Sequence, residues 1–150
     1  MEIKKYNFKK ELIYEFIRNI KDPEKDCTIE ELELIDEESI SIYENINSSF
    51  STILIEWKPT TPTCSLAVNI GLCIRYKLAK EIENLAKILK NSNQKLNQNS
   101  FKYKIEIKLI KGSHLKENDV NKQLNDKERY CAAVENPIIL KYIQNLINMD

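Results

Sequence analysis

Ile13, Phe16, Ile17 and Ile20 fall at i, i+3, i+4 and i+7 with Lys, Glu and Arg between them, the spacing of an amphipathic helix. The pattern predicts a helix from about residue 6 to residue 20. It stops at Lys21-Asp22-Pro23, because the residue before a proline is pushed out of the helical region. Thr28, with Glu30 and Glu31 in the following turn, predicts the N-cap of a short helix. The period then changes to two. Ile40 and Ile42 share a face of a predicted strand over residues 39–46, and Ile53, Ile55 and Trp57 alternate along a second over 51–57, with a turn at 45–49. The cleanest alternation is Phe101, Tyr103, Ile105, Ile107 and Leu109 against Lys102, Lys104, Glu106 and Lys108, a strand with one buried and one wet face.

Between these strands a long helical stretch begins at Thr61-Pro62-Thr63-Cys64 and carries Leu66, Ile70, Leu72, Ile74 and Leu78, then Ile82, Leu85, Ala86 and Leu89. A break is expected near Lys80. Residues 91–100 hold one apolar residue in ten, too few to offset the entropy of ordering the backbone, so a disordered loop is expected there. The tail has helical patterns at 117–124, 126–136 and 137–148, the last with Ile139, Tyr142, Ile143, Leu146 and Ile147 facing inward. Strands and helices mix without a βαβ rhythm. The fold class expected is α+β: a small mixed or antiparallel sheet of about three strands packed by helices, in the order α-β-β-α-β-α-α.

Composition narrows the chemistry. A chain of 150 residues builds one core and buries roughly 70% of its unfolded surface. Lys plus Arg and Asp plus Glu both number 23, so no overall field favours nucleic acid or an anionic membrane. The two glycines, Gly71 and Gly112, leave no phosphate-cradling loop or dinucleotide fingerprint, and the single histidine, His114, excludes two-histidine metal sites. Four cysteines without a CxxC pair are no disulfide scaffold. Charge interrupts the apolar residues of the N-terminus and no apolar run reaches 18 residues, so neither a secretory signal nor a membrane span is expected. A reducing, cytoplasmic or nuclear setting fits.

One thiol stands at a position with chemical meaning. With Thr61 as N-cap and Pro62 at N1, Cys64 falls at N3. There the free N–H groups and the positive end of the helix favour the thiolate, although complete ionisation at neutral pH needs a further cation or a metal. Cys73 is nine residues on, about half a turn out of phase, so the two face opposite sides. A closed four-thiolate site in one chain would require Cys27, Cys73 and Cys131 to converge with Cys64 without local pairing, so no stable metal site is expected. Cys73 and Cys131 read as small buried hydrophobes. Simple packing is the alternative for Cys64.

The string TPTCSLAVNIGLCIRYKL, preceded by IRNIKDPEKDCTIEELEL and followed by IKGSHLKENDVNKQLNDKERYCAAVENP and a helical tail, resembles the MIP18 family. These are the DUF59-type targeting components of cytosolic iron–sulfur protein assembly. The resemblance covers most of residues 13–148. It implies a single α+β domain over 1–150, with an insertion at about 84–100. It also implies a non-enzymatic adaptor that works with a WD40 propeller and a HEAT-repeat protein to deliver clusters to cytosolic and nuclear apoprotein clients, holding an iron–sulfur cluster only in transit. The family's reactive cysteine maps onto Cys64, its Asp-Pro-Glu element onto Asp22, Pro23 and Glu24, and the histidine of its Gly-Thr-His element onto His114. Family members commonly carry a histidine before the reactive cysteine. Thr63 stands there in this chain, removing a cation or second ligand from beside the sulfur.

Blander readings stand beside these. His114 can cap the end of a strand, Asp22 and Glu24 can satisfy backbone groups in a turn, and the NKQLNDKER run can be a solvated face or a docking face. Two other functions remain open: a cysteine-dependent enzyme pairing Cys64 with His114 as nucleophile and base, and an interaction module without thiol chemistry. Such an adaptor can also pair with a second copy of itself as a homodimer when its partners are absent.

Overall fold

The period-two segments form a three-stranded sheet in the computed structural model, which describes residues 6–44, 50–92 and 98–147. The strands are β1 (Ile40–Glu44), β2 (Ser51–Trp57) and β3 (Tyr103–Leu109), with β2 in the centre. β1 runs antiparallel to β2, with Ile40 opposite Ile55 and Ile42 opposite Ile53. β3 runs parallel to β2, pairing Ile53 with Ile105, Ile55 with Ile107 and Trp57 with Leu109. Strict alternation puts those six side chains on one face. All six are buried, each worth about 1.5–3 kcal/mol relative to exposure. The class is α+β, as expected, and of the mixed and antiparallel sheets expected the mixed one is found.

Parallel neighbours need a long crossover, and α2 (Ala67–Ser92) supplies it. The break expected near Lys80 is absent. Ion pairs Lys77–Glu81, Lys80–Glu83 and Glu83–Lys87 run through and past that position, while Leu78 and Ile82 stay buried on the inner face. The segment expected to be a disordered insertion from residue 84 is helical as far as Ser92, because Ala86 is buried and Leu89 packs against the core. Gln98–Phe101 forms a 3-10 turn. The remainder of that insertion, residues 93–97, lies outside the described residues, as does the turn expected at 45–49.

The first helix, α1 (Lys10–Ile17), is shorter than expected. Tyr6 and Phe8 leave it to pack on Phe101 and Tyr103, with ring centroids 5.1 Å and 6.1 Å apart. Thr28 caps only a single turn: it accepts from the Glu31 N–H and donates to the Glu31 carboxylate, and Glu33 enters the left-handed region at φ 58°. The tail forms the three helices its patterns predict, where the expected order counted two: α3 (Glu117–Leu124), α4 (Lys127–Glu135) and α5 (Pro137–Ile147). Asp126 accepts from the Glu128 and Arg129 N–H groups to start α4, and Pro137 opens α5, where its missing N–H costs nothing.

α3 also closes the outer edge of the sheet. Asn125 bonds both the N–H and the C=O of Ile107, and Asn121 accepts from the Leu109 N–H. Two asparagines at i, i+4 thus substitute for a fourth strand and protect an otherwise open edge. No helix among the described residues is long and apolar enough to cross a membrane.

Candidate functional site

β2 and β3 are parallel, so the chain leaves both at the same end of the sheet, where the Ile110 N–H donates to the Trp57 carbonyl at 2.7 Å. Loops 58–66 and 110–116 begin there, side by side. Ligand sites of parallel sheets form beyond this carboxyl end. In the first loop Pro62 takes the second position of a turn closed by the Cys64 N–H to the Thr61 carbonyl at 3.2 Å, a position its fixed φ suits. In the second, Gly112 adopts φ 84°, a backbone open mainly to glycine, and its N–H donates to Glu117.

Two hydrogen bonds join the loops, and a third orients the histidine that makes one of them. The Leu115 N–H donates to the Pro62 carbonyl at 2.9 Å. His114 Nε2 lies 2.9 Å from the Cys64 carbonyl, and His114 Nδ1 accepts from the Lys116 N–H at 2.9 Å. The last two fix the tautomer: Nδ1 is an acceptor, so the ring proton sits on Nε2 and is donated to Cys64. Both ring nitrogens are thereby committed to backbone groups. His114 holds the cysteine loop in place and has no nitrogen left to take a proton from the thiol or to bind a metal in this arrangement.

These contacts change the position of Cys64. In a helix starting at Thr61, the carbonyls of Pro62 and Cys64 would accept from within the helix. Both are instead captured by loop 110–116, and α2 begins at Ala67. Cys64 is therefore three residues ahead of the helix rather than at N3, outside the first turn over which a helix end acts. Cys64 is half-buried, with Thr61, Pro62 and Thr63 exposed on its N-terminal side and Leu115 79% exposed across the junction. No hydrogen bond to its sulfur is present among the described residues.

Cys73 lies on the inward face of α2 with no exposure, and burial pushes its thiol up to about 12. Cys27 and Cys131 are half-buried. Among the described residues, no three His, Cys, Asp or Glu side chains are grouped to hold a metal ion. Asp22 is buried and its Oδ1 accepts from the Glu24 and Lys25 N–H groups at 2.8 Å and 3.0 Å. Glu24 is exposed. No hydrogen bond or ion pair joins either acid to Cys64 among the described residues. Their turn is tied instead to α5, through the Lys21 N–H to the Leu146 carbonyl. Thr63 neighbours Cys64 with its side chain in solvent.

Sequence reasoning missed one polar feature of the fold, the part-buried junction around Arg75. Its guanidinium donates to the carbonyls of Leu124 and Ile105 and to Asn125 Oδ1. An arginine within the apolar run Cys73-Ile74-Arg75-Tyr76 was the available signal.

A mixed three-stranded α+β domain with a pinned, solvent-facing cysteine loop beyond its parallel strand pair is the class the geometry defines. No family model matches the chain. Curated relatives do. The chain is 37% identical to MIP18 family protein FAM96A of Dictyostelium discoideum over 92% of its own length and 91% of that protein. It is 39% identical to MIP18 family protein galla-1 of Drosophila melanogaster over 91% of its length and 55% of galla-1, so it spans little more than half of that relative. Cytosolic iron-sulfur assembly component 2B of Mus musculus is 32% identical, with 91% of this chain and 71% of that protein covered. The chain belongs to the MIP18 family.

Proposed function

We propose that this chain is a non-enzymatic adaptor of cytosolic iron–sulfur protein assembly, which helps target clusters to cytosolic and nuclear apoproteins and uses Cys64 as a transient ligand to a cluster in transit. Family membership and relatives named cytosolic iron-sulfur assembly component 2B support the pathway. The observation that carries the thiol's part is that Cys64 is half-buried on a loop whose backbone is pinned and whose neighbours Thr61, Pro62 and Thr63 are exposed, while its sulfur is free of hydrogen bonds among the described residues.

Clusters are commonly held by four thiolates, and here one thiol is presented. The cluster is cargo. Cys64 gives up its proton to bind one iron, and the remaining ligands come from donor and client, so hand-over proceeds by exchange of weak, open ligation. Helix-end activation is not part of this role, because α2 starts beyond the cysteine. The partners are a WD40 propeller and a HEAT-repeat protein. Catalysis by a Cys64–His114 pair is disfavoured, since both imidazole nitrogens serve backbone groups.

Affinity purification of the full chain from its source cell tests the adaptor role. A propeller and a helical-repeat protein are expected to co-purify in fixed proportion. Recovery of the folded chain with neither contradicts it.

A further inference from the structure

Away from Cys64, α2, β3 and the junction of α3 with α4 enclose a cavity of ≈ 370 Å³ lined by Arg75, Lys104, Lys127, Tyr103 and Tyr130. Arg75 donates Nε to Leu124, Nη1 to Ile105 and Nη2 to Asn125, at 3.0–3.1 Å. All three acceptors are neutral, and no ion pair engages the guanidinium among the described residues. Of its five N–H donors, two are left over by these bonds. Burial lowers the guanidinium below its ordinary value, and Tyr130 and Glu106 offset that only in part. Asp126 is the one acid lining the cavity, and its carboxylate already caps α4.

A second cavity of ≈ 360 Å³ shares Ala79, Tyr103 and Tyr130 with the first and is walled by Tyr76, Phe101 and Val134. The first lobe carries Arg75, Lys104 and Lys127; the second is largely aromatic and apolar, with Glu83 set between Lys80 and Lys90 on its lining. Tyr130 and Tyr103 are both raised by burial, so their rings stay neutral and do not repel an anion. Ligand sites combine an apolar wall with a few convergent polar groups in this way, usually in about 300–1,000 Å³.

We propose that this paired cleft binds a small organic anion, with its phosphate or carboxylate head taken by Arg75, Lys104 and Lys127 and its apolar or aromatic body lying against Tyr103 and Tyr130. The site is separate from Cys64 and independent of the role proposed for it.

Titration of the full-length, isotope-labelled chain with phenyl phosphate, benzoate, inorganic phosphate and phenol tests this, read at the Arg75 Nε–H resonance. Phenyl phosphate or benzoate is expected to shift that resonance saturably, and the tighter of the two identifies the head. Inorganic phosphate and phenol, each lacking one half, bind at least about tenfold more weakly. Arg75 also joins α2 to β3 and α3, so the variant of choice is Lys104→Gln with Lys127→Gln. Both lysines are exposed, and their loss is expected to weaken binding about tenfold or more with the melting temperature unchanged. No saturable shift with either aromatic anion up to about 10 mM overturns the proposal. So does a phenyl phosphate and benzoate affinity no better than that of inorganic phosphate, or one that the double variant leaves intact.

Discussion

Cys64 and Cys73 share one stretch of chain and differ in almost everything that governs a thiol. Cys73 sits on the inner face of α2 with no exposure and a thiol pushed up to about 12. Cys64 stands just before the same helix, half-buried, in a loop whose carbonyls are held by residues 114 and 115. Nine residues thus separate a core atom from a presented one, and the start of α2 at Ala67 is the dividing line. The lesson is that presentation here comes from backbone contacts between two loops rather than from the electrostatics of a helix end.

The largest expected contrast is in alkylation. At neutral pH Cys64 should react at least about a hundredfold faster than Cys73, whose modification requires the core to open. Site-resolved mass spectrometry measures both rates, and equal rates would break the contrast. High pH sharpens it from the other side. Below pH 9 the Cys73 thiol is protonated whether the chain is folded or not. From the ordinary thiol value of 9.0 toward about 12, the unfolded thiol ionises while the folded one does not. Stability therefore falls with rising pH, by up to about 1.4 kcal/mol per unit. Tyr14 and Tyr130, both raised from 10.0 to about 12, add to the fall above pH 10. Cys73→Ala should remove the part that starts near pH 9, seen in denaturant unfolding as a function of pH.

The latch comes next in size. His114→Ala leaves the Cys64 carbonyl and the Lys116 N–H without their partners and should cost about 1–2 kcal/mol. Nitrogen NMR of the unmodified chain should find the proton on Nε2, and an Nδ1–H tautomer would refute the latch. The smallest stability change is expected of Thr63→His on the exposed side of the loop, within about 0.5 kcal/mol. The same change should raise the Cys64 alkylation rate about threefold as the imidazole supplies the neighbouring cation.

Sequence legibility followed the range of the interactions. Ile53, Ile55 and Trp57, and Ile105, Ile107 and Leu109, announce their strands because alternation is local and the buried face admits no slip. Asp126 and Pro137 mark the tail helices for the same reason. Thr61-Pro62 carries a sound helix-start signature, yet loop 110–116, about fifty residues away, takes the carbonyls that such a helix would need. Cys64 was legible as the residue to examine, but its setting depended on that distant capture. The aromatic packing of Tyr6 on Phe101 shortens α1 by the same kind of long-range competition. Asn121 and Asn125 read as part of a solvated or docking face, and nothing in their own segment reveals that they close the edge of β3.

The most direct test of Cys64 is to replace the chain in its source cell with the Cys64→Ala form and to assay the activity of cytosolic and nuclear iron–sulfur enzymes. A variant that folds and melts like the original, while those enzymes fall to the level of cells lacking the chain, is the result predicted. Undiminished enzyme activity with the variant as sole copy would contradict a role for this sulfur in cluster transfer.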